Sequence, residues 1–75
     1  MRKLFIKNLG PTVSHNDLFL TFKQYGYIHT ARVNLDEGSG KSKGTGVITF
    51  GNADDATKAM SALNGTDLKG KPLQI

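Results

Sequence analysis

The sequence predicts a small α+β domain in which one four-stranded antiparallel sheet carries two helices on the same face. Three observations lead to this expectation. The chain has 75 residues, which is room for one domain with one hydrophobic core. Apolar side chains alternate in some segments and recur at helical spacing in others, in the order β-α-β-β-α-β. Turn-forming Gly, Pro and Asn residues separate these segments.

The first half of the chain predicts a strand followed by a helix. Residues 3–9 alternate between two faces. The inner face of this strand carries Leu4, Ile6 and Leu9, and the outer face carries Lys3, Phe5 and Lys7. Ser14 and Asp17 resemble a capping pair, and a helix is expected over residues 15–25 before the stop at Gly26. Its inner stripe is expected to comprise Leu18, Thr21, Phe22 and Tyr25.

The second half predicts three more strands and another helix. Residues 27–35 read as a strand with Ala31, Val33 and Leu35 alternating against Thr30, Arg32 and Asn34. The glycine-rich, charged segment 36–44 is typical of a mobile hairpin loop, and a third strand follows over residues 44–50. Asn52 caps the second helix, which ends at residues 64–65. Its inner stripe is expected to comprise Ala56, Ala59 or Met60, and Leu63.

The tail of the chain predicts a short final strand within residues 68–75, with Leu73 and Ile75 inward and Gln74 outward. The whole order predicts a ferredoxin-like sandwich whose sheet is covered by helices on one face and open on the other. We expect residues 1–75 to form a single domain of a longer protein, because this last strand ends abruptly.

Composition excludes several classes of function. The chain has no cysteine, which excludes disulfide frameworks, zinc–thiolate sites and thiol catalysis, and is compatible with a reducing, intracellular compartment. No apolar run approaches the roughly 18 residues of a membrane span, so no membrane partner is expected. Ten Lys and Arg against six Asp and Glu give a net charge of +4, which is informative only through its placement.

The open face of the predicted sheet collects positive charge and one aromatic ring. Four of its expected side chains are cationic and none is acidic. The expected residues are Lys3, Phe5, Lys7, Thr30, Arg32, Asn34, Lys43, Thr45, Val47, Thr49 and Gln74. Lys41 and Lys71 lie at the rim. Asp17, Asp54 and Asp55 fall at helix starts, and Asp36 and Glu37 in the hairpin loop. A positive surface with an exposed ring favours binding of single-stranded nucleic acid, although a sheet kept soluble by lysines remains the alternative.

Catalysis is not expected from these residues. His15 and His29 have no Ser or Asp partner at a readable spacing, and are expected at a helix start and near the sheet margin. The loop "GSGKSKG" lacks the spacing of a phosphate-binding loop and leads into a strand. We therefore expect no enzyme activity, cofactor, metal or small-molecule substrate.

Two motifs resemble those of the RNA recognition motif family. "LFIKNL" (residues 4–9) is similar to the six-residue motif of the family. "KGTGVITF" (residues 43–50) is similar to the eight-residue motif, in which Lys43, Gly44, Gly46 and Phe50 match and Ile48 replaces valine. "FKQYGYI", "ADDATKAMSALNG" and "LKGKPLQI" follow the family order, so the resemblance covers essentially the whole chain.

The resemblance implies non-catalytic binding of a few nucleotides of single-stranded RNA across the sheet. It implies that Phe5 stacks on a base, that Lys43 pairs with a phosphate, and that Asn8 shapes the end of the first strand. It further implies contacts to base edges or the backbone from Lys7, Arg32, Asn34 and Gln74. Thr45 and Val47 stand where the family usually has aromatic rings, so we expect weak, electrostatic and salt-sensitive binding.

Two further interpretations stay open. Phe19 and Leu20 fall off the inner stripe of the first helix, so a protein partner could bind there or on the sheet face. The loop over residues 36–44 is either a solvated connection or a segment whose Lys41 and Lys43 close over bound RNA.

Overall fold

The computed structural model describes residues 1–75 and has the predicted order of elements. The strands and helices are β1 (Lys3–Ile6), α1 (His15–Phe22), β2 (Ile28–Leu35), β3 (Ser42–Phe50), α2 (Ala53–Leu63), β4 (Asp67–Leu68) and β5 (Lys71–Pro72). A 3₁₀ turn over Lys23–Tyr25 continues α1, so the predicted first helix is α-helical only to Phe22.

The sheet is antiparallel, with β3 in the centre between β1 and β2. The predicted fourth strand is shorter than expected, because residues 67–72 form the separate hairpin β4–β5. Only Gln74 then joins the outer edge of β1, where it exchanges backbone hydrogen bonds of 2.6 and 3.2 Å with Lys7. Pro72 contributes to this interruption, since a residue without an N–H cannot continue the ladder. The ferredoxin-like fold class is confirmed.

The first strand also ends earlier than predicted, at Ile6 rather than Leu9. Asn8 adopts a left-handed conformation with φ of 62°, which breaks the strand, and its side-chain amide donates to the Pro72 carbonyl at 2.8 Å. Leu9 nevertheless returns to the core, and its N–H donates to the Gly44 carbonyl at 2.9 Å. Asn8 therefore connects the end of β1 to Pro72 at the end of β5.

A core of 14 buried hydrophobic residues lies between the sheet and the two helices, and no polar side chain is buried with them. The predicted inner residues of the first strand and of both helices are buried or packed against this core, apart from Thr21, which is half-buried. Leu35, which was predicted to face inward on β2, is instead 48% exposed. The pairing of β2 with β3 shifts between Val33 and Leu35, and this irregularity takes Leu35 off the inner face.

Side-chain caps fix the beginning of both helices. Ser14 and Asp17 form a reciprocal capping box. The Asp17 N–H donates to the Ser14 hydroxyl at 3.1 Å, and the Ser14 N–H donates to the Asp17 carboxylate at 2.9 Å. Asn52 accepts from the Asp55 N–H at 2.9 Å at the start of α2. Lys69, in the β4–β5 turn, reaches the Asp17 carboxylate at 2.9 Å and so ties the hairpin to α1.

The Asp17 cap predicts a specific loss of stability in acid. The Ser14 backbone N–H, and then Lys69, lower the pKa of Asp17 from 3.8 to about 2. Because the folded pKa is depressed, this contribution to stability is complete above about pH 4 and is lost as the pH falls toward 2. Urea unfolding across this range should show a shallower acid dependence for Asp17→Asn than for the parent protein.

Asp67→Asn is the matched control, because its carboxylate forms no hydrogen bond or ion pair in the structure. Equal acid profiles for the parent and Asp17→Asn would contradict the capping argument.

Candidate nucleic-acid interface

One row of side chains crosses the middle of the open sheet face. Phe5 on β1 pairs with Val47 on β3, and Val47 pairs with Arg32 on β2. Directly opposite residues in antiparallel strands have Cβ atoms about 5 Å apart, so the three side chains form a continuous strip. An aromatic ring, an aliphatic group and a guanidinium therefore lie side by side on this face.

The Phe5 side chain faces solvent, as predicted. It is 63% exposed, whereas its neighbours Leu4 and Ile6 are 2% and 0% exposed. Val47 is half-buried and Arg32 is exposed. The row is thus accessible from the face that the helices do not cover.

Polar rows flank this strip on both sides. Lys3, Thr49 and Thr30 form the next row toward the start of β1. On the other side, the Asn34 side-chain amide donates to the Thr45 hydroxyl at 2.9 Å. This bond leaves the hydroxyl hydrogen of Thr45 and the side-chain carbonyl of Asn34 for other partners.

Hydrogen-bond donors and cations surround the strip without intervening acids. Lys3, Lys7, Lys43 and Gln74 are exposed. A depression along the β2 side is lined in part by Lys3, Thr30, Arg32, Asn34, Val47 and Thr49. The acids lie elsewhere: Asp17, Asp54 and Asp55 in the first helical turns, Asp36 and Glu37 in the hairpin loop, and Asp67 in β4. The face is consequently electropositive.

The hairpin loop between β2 and β3 is organised by its own hydrogen bonds. Asp36 accepts from the N–H groups of Gly38 and Ser39 at 2.9 and 3.0 Å. The hydrogen bond from the Ser39 N–H, and then that from the Gly38 N–H, lower the pKa of the Asp36 carboxyl. The Asp36 N–H in turn donates to the Lys41 carbonyl at 2.7 Å. This closure holds the backbone of Lys41 next to the end of β2.

The two histidines occupy different places. His15 begins α1, and its Nδ1 accepts the Val33 N–H at 2.7 Å, a bond that covers part of the free edge of β2. His29 lies at the sheet margin, as predicted, in an edge-to-face pair with Tyr27 at 5.7 Å between ring centroids. Tyr27, which the sequence pattern did not single out, immediately precedes β2 and is exposed. No group of three or more His, Cys, Asp or Glu side chains could hold a metal ion.

The helix layer has its own exposed apolar residues. Phe19 and Leu20 on α1 are 39% and 49% exposed, which confirms that they lie off the inner stripe. The Lys23 ammonium lies 6.0 Å from the Phe19 ring centroid. Neither helix has the length and apolar character of a membrane-spanning segment.

These features define a class: a small domain that backs an antiparallel sheet with two helices and keeps its other face open, basic and partly aromatic. The model of the RNA recognition motif family matches residues 4–74, so the chain belongs to that family. The resemblance of both sequence motifs is thereby confirmed.

Individual proteins show the same likeness. The chain is 44% identical over 72 residues to RNA-binding protein RRM4 of Mycosarcoma maydis, covering 96% of this chain and 9% of that protein. The structure of the first two domains of this type in yeast poly(U)-binding protein matches with a TM-score of 0.93 and 34% identity, over 97% of this chain and 44% of that one.

The structure of a Sex-lethal protein–RNA complex matches with a TM-score of 0.91 and 28% identity, over 97% of this chain and 45% of that one. The chain therefore spans less than half the length of each of these three proteins.

Proposed function

We propose that this domain binds single-stranded RNA on the open face of its sheet, without catalysis. The observation that carries the proposal is the row of Phe5, Val47 and Arg32, which presents a ring, an apolar contact and a cation together. Single-stranded nucleic acid is bound by such combinations, in which bases stack on rings and cations neutralise phosphates.

The named relatives support RNA as the ligand. One is called an RNA-binding protein, another a poly(U)-binding protein, and a third was solved as a complex with RNA. An A-form duplex is recognised largely through its shape and backbone, whereas unpaired bases are free to stack on rings. The open sheet face with an exposed Phe5 matches the second kind of ligand.

The proposed contacts divide by chemistry. Phe5 stacks on one base, and Val47 gives apolar contact to a neighbouring base. Asn34, Thr45 and Thr49, whose polar groups flank the row, offer hydrogen bonds to base edges or sugars, as does Arg32 within the row. Phosphates are proposed to contact Lys3, Lys7, Lys41, Lys43 and Gln74.

Reduced stacking is the distinctive part of the proposal. Thr45 and Val47 occupy two positions where the family usually has rings, and each base–ring stack is worth about 1–3 kcal/mol. Two lost stacks correspond to about 2–6 kcal/mol of binding free energy, so we propose weak binding that depends mainly on charge.

Contact with a protein is the alternative role for the same fold. The exposed Phe19 and Leu20 lie in the helix layer, behind the sheet from the proposed RNA surface. A partner there would not compete with RNA on the sheet, so the two roles are separable by mutation.

Removal of the Phe5 ring should weaken RNA binding. Phe5→Ala is expected to lower affinity for oligouridylate and oligoadenylate by about 5- to 150-fold, which corresponds to one stack of about 1–3 kcal/mol. The fold should survive because the ring is 63% exposed. Fluorescence polarisation at fixed salt measures the change, and Phe19→Ala is the matched control. Equal losses for both variants would contradict a sheet-centred site.

Addition of a ring at Val47 should strengthen binding. Val47→Phe would place a second aromatic ring beside Phe5 in the cross-strand row, and is expected to raise affinity by about 5- to 150-fold. Leu20→Phe, which adds a ring on α1, is the control and should leave affinity unchanged. If Val47→Phe binds no better than the parent protein, no base lies over this position.

Binding should fall steeply as salt rises. The logarithm of the association constant is expected to decrease linearly with the logarithm of salt concentration, with a slope of about −0.7 per contacted phosphate. Lys43→Ala should reduce the steepness by about 0.7 and weaken both homopolymers equally. Lys58→Ala, an exposed change on α2, is the control. An affinity that is constant between low and high salt would disprove the electrostatic mechanism.

A further inference from the structure

Tyr27 and His29 form an aromatic pair that the proposed site does not include. Tyr27 is 72% exposed, more than Phe5 at 63%. The two rings meet edge to face, at 5.7 Å between centroids and an interplanar angle of 84°. A ring this exposed lies outside the core, so its position is not explained by packing of the domain interior.

Both rings lie outside the core. Ile28, which lies between them in the chain, is buried at 7% exposure and pairs with Phe50. The Gly51 N–H donates to the Tyr27 carbonyl, so the pairing with β3 continues past Ile28, and Tyr27 alternates with Ile28 away from the core. His29 is exposed as well. The register shifts between Ile28 and Thr30, and this irregularity is of the kind that redirects a side chain.

The absence of a side chain at Gly51 leaves room for the Tyr27 ring. A Cβ on Gly51 would lie 2.9 Å from Tyr27 Cδ2, so any larger residue would displace the ring. The Gly51 N–H also donates to the Tyr27 carbonyl at 2.8 Å. Gly51 does not adopt a positive φ, so close approach of the ring, rather than backbone conformation, accounts for glycine here.

The pair continues the proposed surface along β2. Arg32 and Tyr27 are five residues apart in the sequence, about 16 Å along a strand at 3.3 Å per residue. The row of Lys3, Thr49 and Thr30 lies between them, so the path runs past a cation and two hydroxyl groups. An RNA strand that crosses Phe5 and Arg32 would meet no acidic side chain of the sheet before it reaches Tyr27.

We infer that Tyr27, braced by His29 and seated on Gly51, is a second stacking site for a base of the same RNA strand. This inference rests on the proposed function. It supplies, outside the two sequence motifs, part of the stacking that Thr45 and Val47 do not provide. A base fits this site better than a phosphate, because the surface that the site exposes is an aromatic ring.

The test compares short and long strands. Tyr27→Leu is expected to reduce affinity for a decauridylate or decaadenylate by about 5- to 150-fold, the effect of one lost stack. The same variant should bind the corresponding dinucleotides as the parent does, because these are too short to extend from Phe5 to Tyr27. Phe5→Ala should weaken binding of both lengths. Phe19→Leu is the matched control and should change neither.

A direct readout comes from the tyrosine ring itself. The chain has two tyrosines and no tryptophan, so Tyr25→Phe leaves Tyr27 as the only tyrosine. In this background, decauridylate or decaadenylate should move the Tyr27 ring proton resonances upfield by stacking, whereas the dinucleotides should not.

The outcomes separate the two proposals. If Phe5→Ala weakens binding, while Tyr27→Leu does not and the Tyr27 resonances stay in place, the second site is wrong and the proposed function stands. If neither variant weakens binding, or if no strand binds, the proposed function fails and the inference fails with it. If Tyr27→Leu weakens RNA binding and Phe5→Ala does not, the inference is also wrong, because the bound RNA strand would not continue from Phe5.

Discussion

Burial of alternate side chains on β1 is the constraint on which the rest of the surface depends. Leu4 and Ile6 must both enter the core between sheet and helices, and a strand turns every second side chain the other way. Phe5 is therefore directed to solvent by its neighbours rather than by any contact of its own. A shift of one residue would bury Phe5 and expose two aliphatic side chains, a cost that fixes the register.

The parts of the fold that the sequence predicted are those set by local periodicity. The inner residues of β1, α1 and α2, the Ser14–Asp17 cap and the outward Phe5 all follow from spacing within one element. The exposure of Leu35 depends instead on how β2 pairs with β3, and the short contact of Gln74 depends on β1. Such features are decided by a partner strand distant in sequence, so spacing within one segment does not reveal them.

The separation of acidic side chains from the cations of the open sheet face follows from the helix caps and turns. Asp17 and Asp55 stand in the first turns of the two helices, where a carboxylate is stabilised by free N–H groups and the helix dipole. Asp36 serves the hairpin loop in the same way. These local roles draw acidic residues away from the sheet, so the cations of the open face are not neutralised within the domain. The electrostatics of the surface are thus partly a consequence of how the helices begin.

Under the proposed function, Thr45 and Val47 in place of rings would change which physical term dominates recognition. Charge contacts are insensitive to base identity, whereas stacking and edge contacts depend on where each base lies. A face with fewer rings therefore gives a larger share of its binding energy to the phosphate backbone. A module that binds weakly gains most from a linked neighbour, because a second binding event then occurs at high effective concentration. The position of any further stacking site, such as Tyr27, would then determine how many nucleotides one domain occupies.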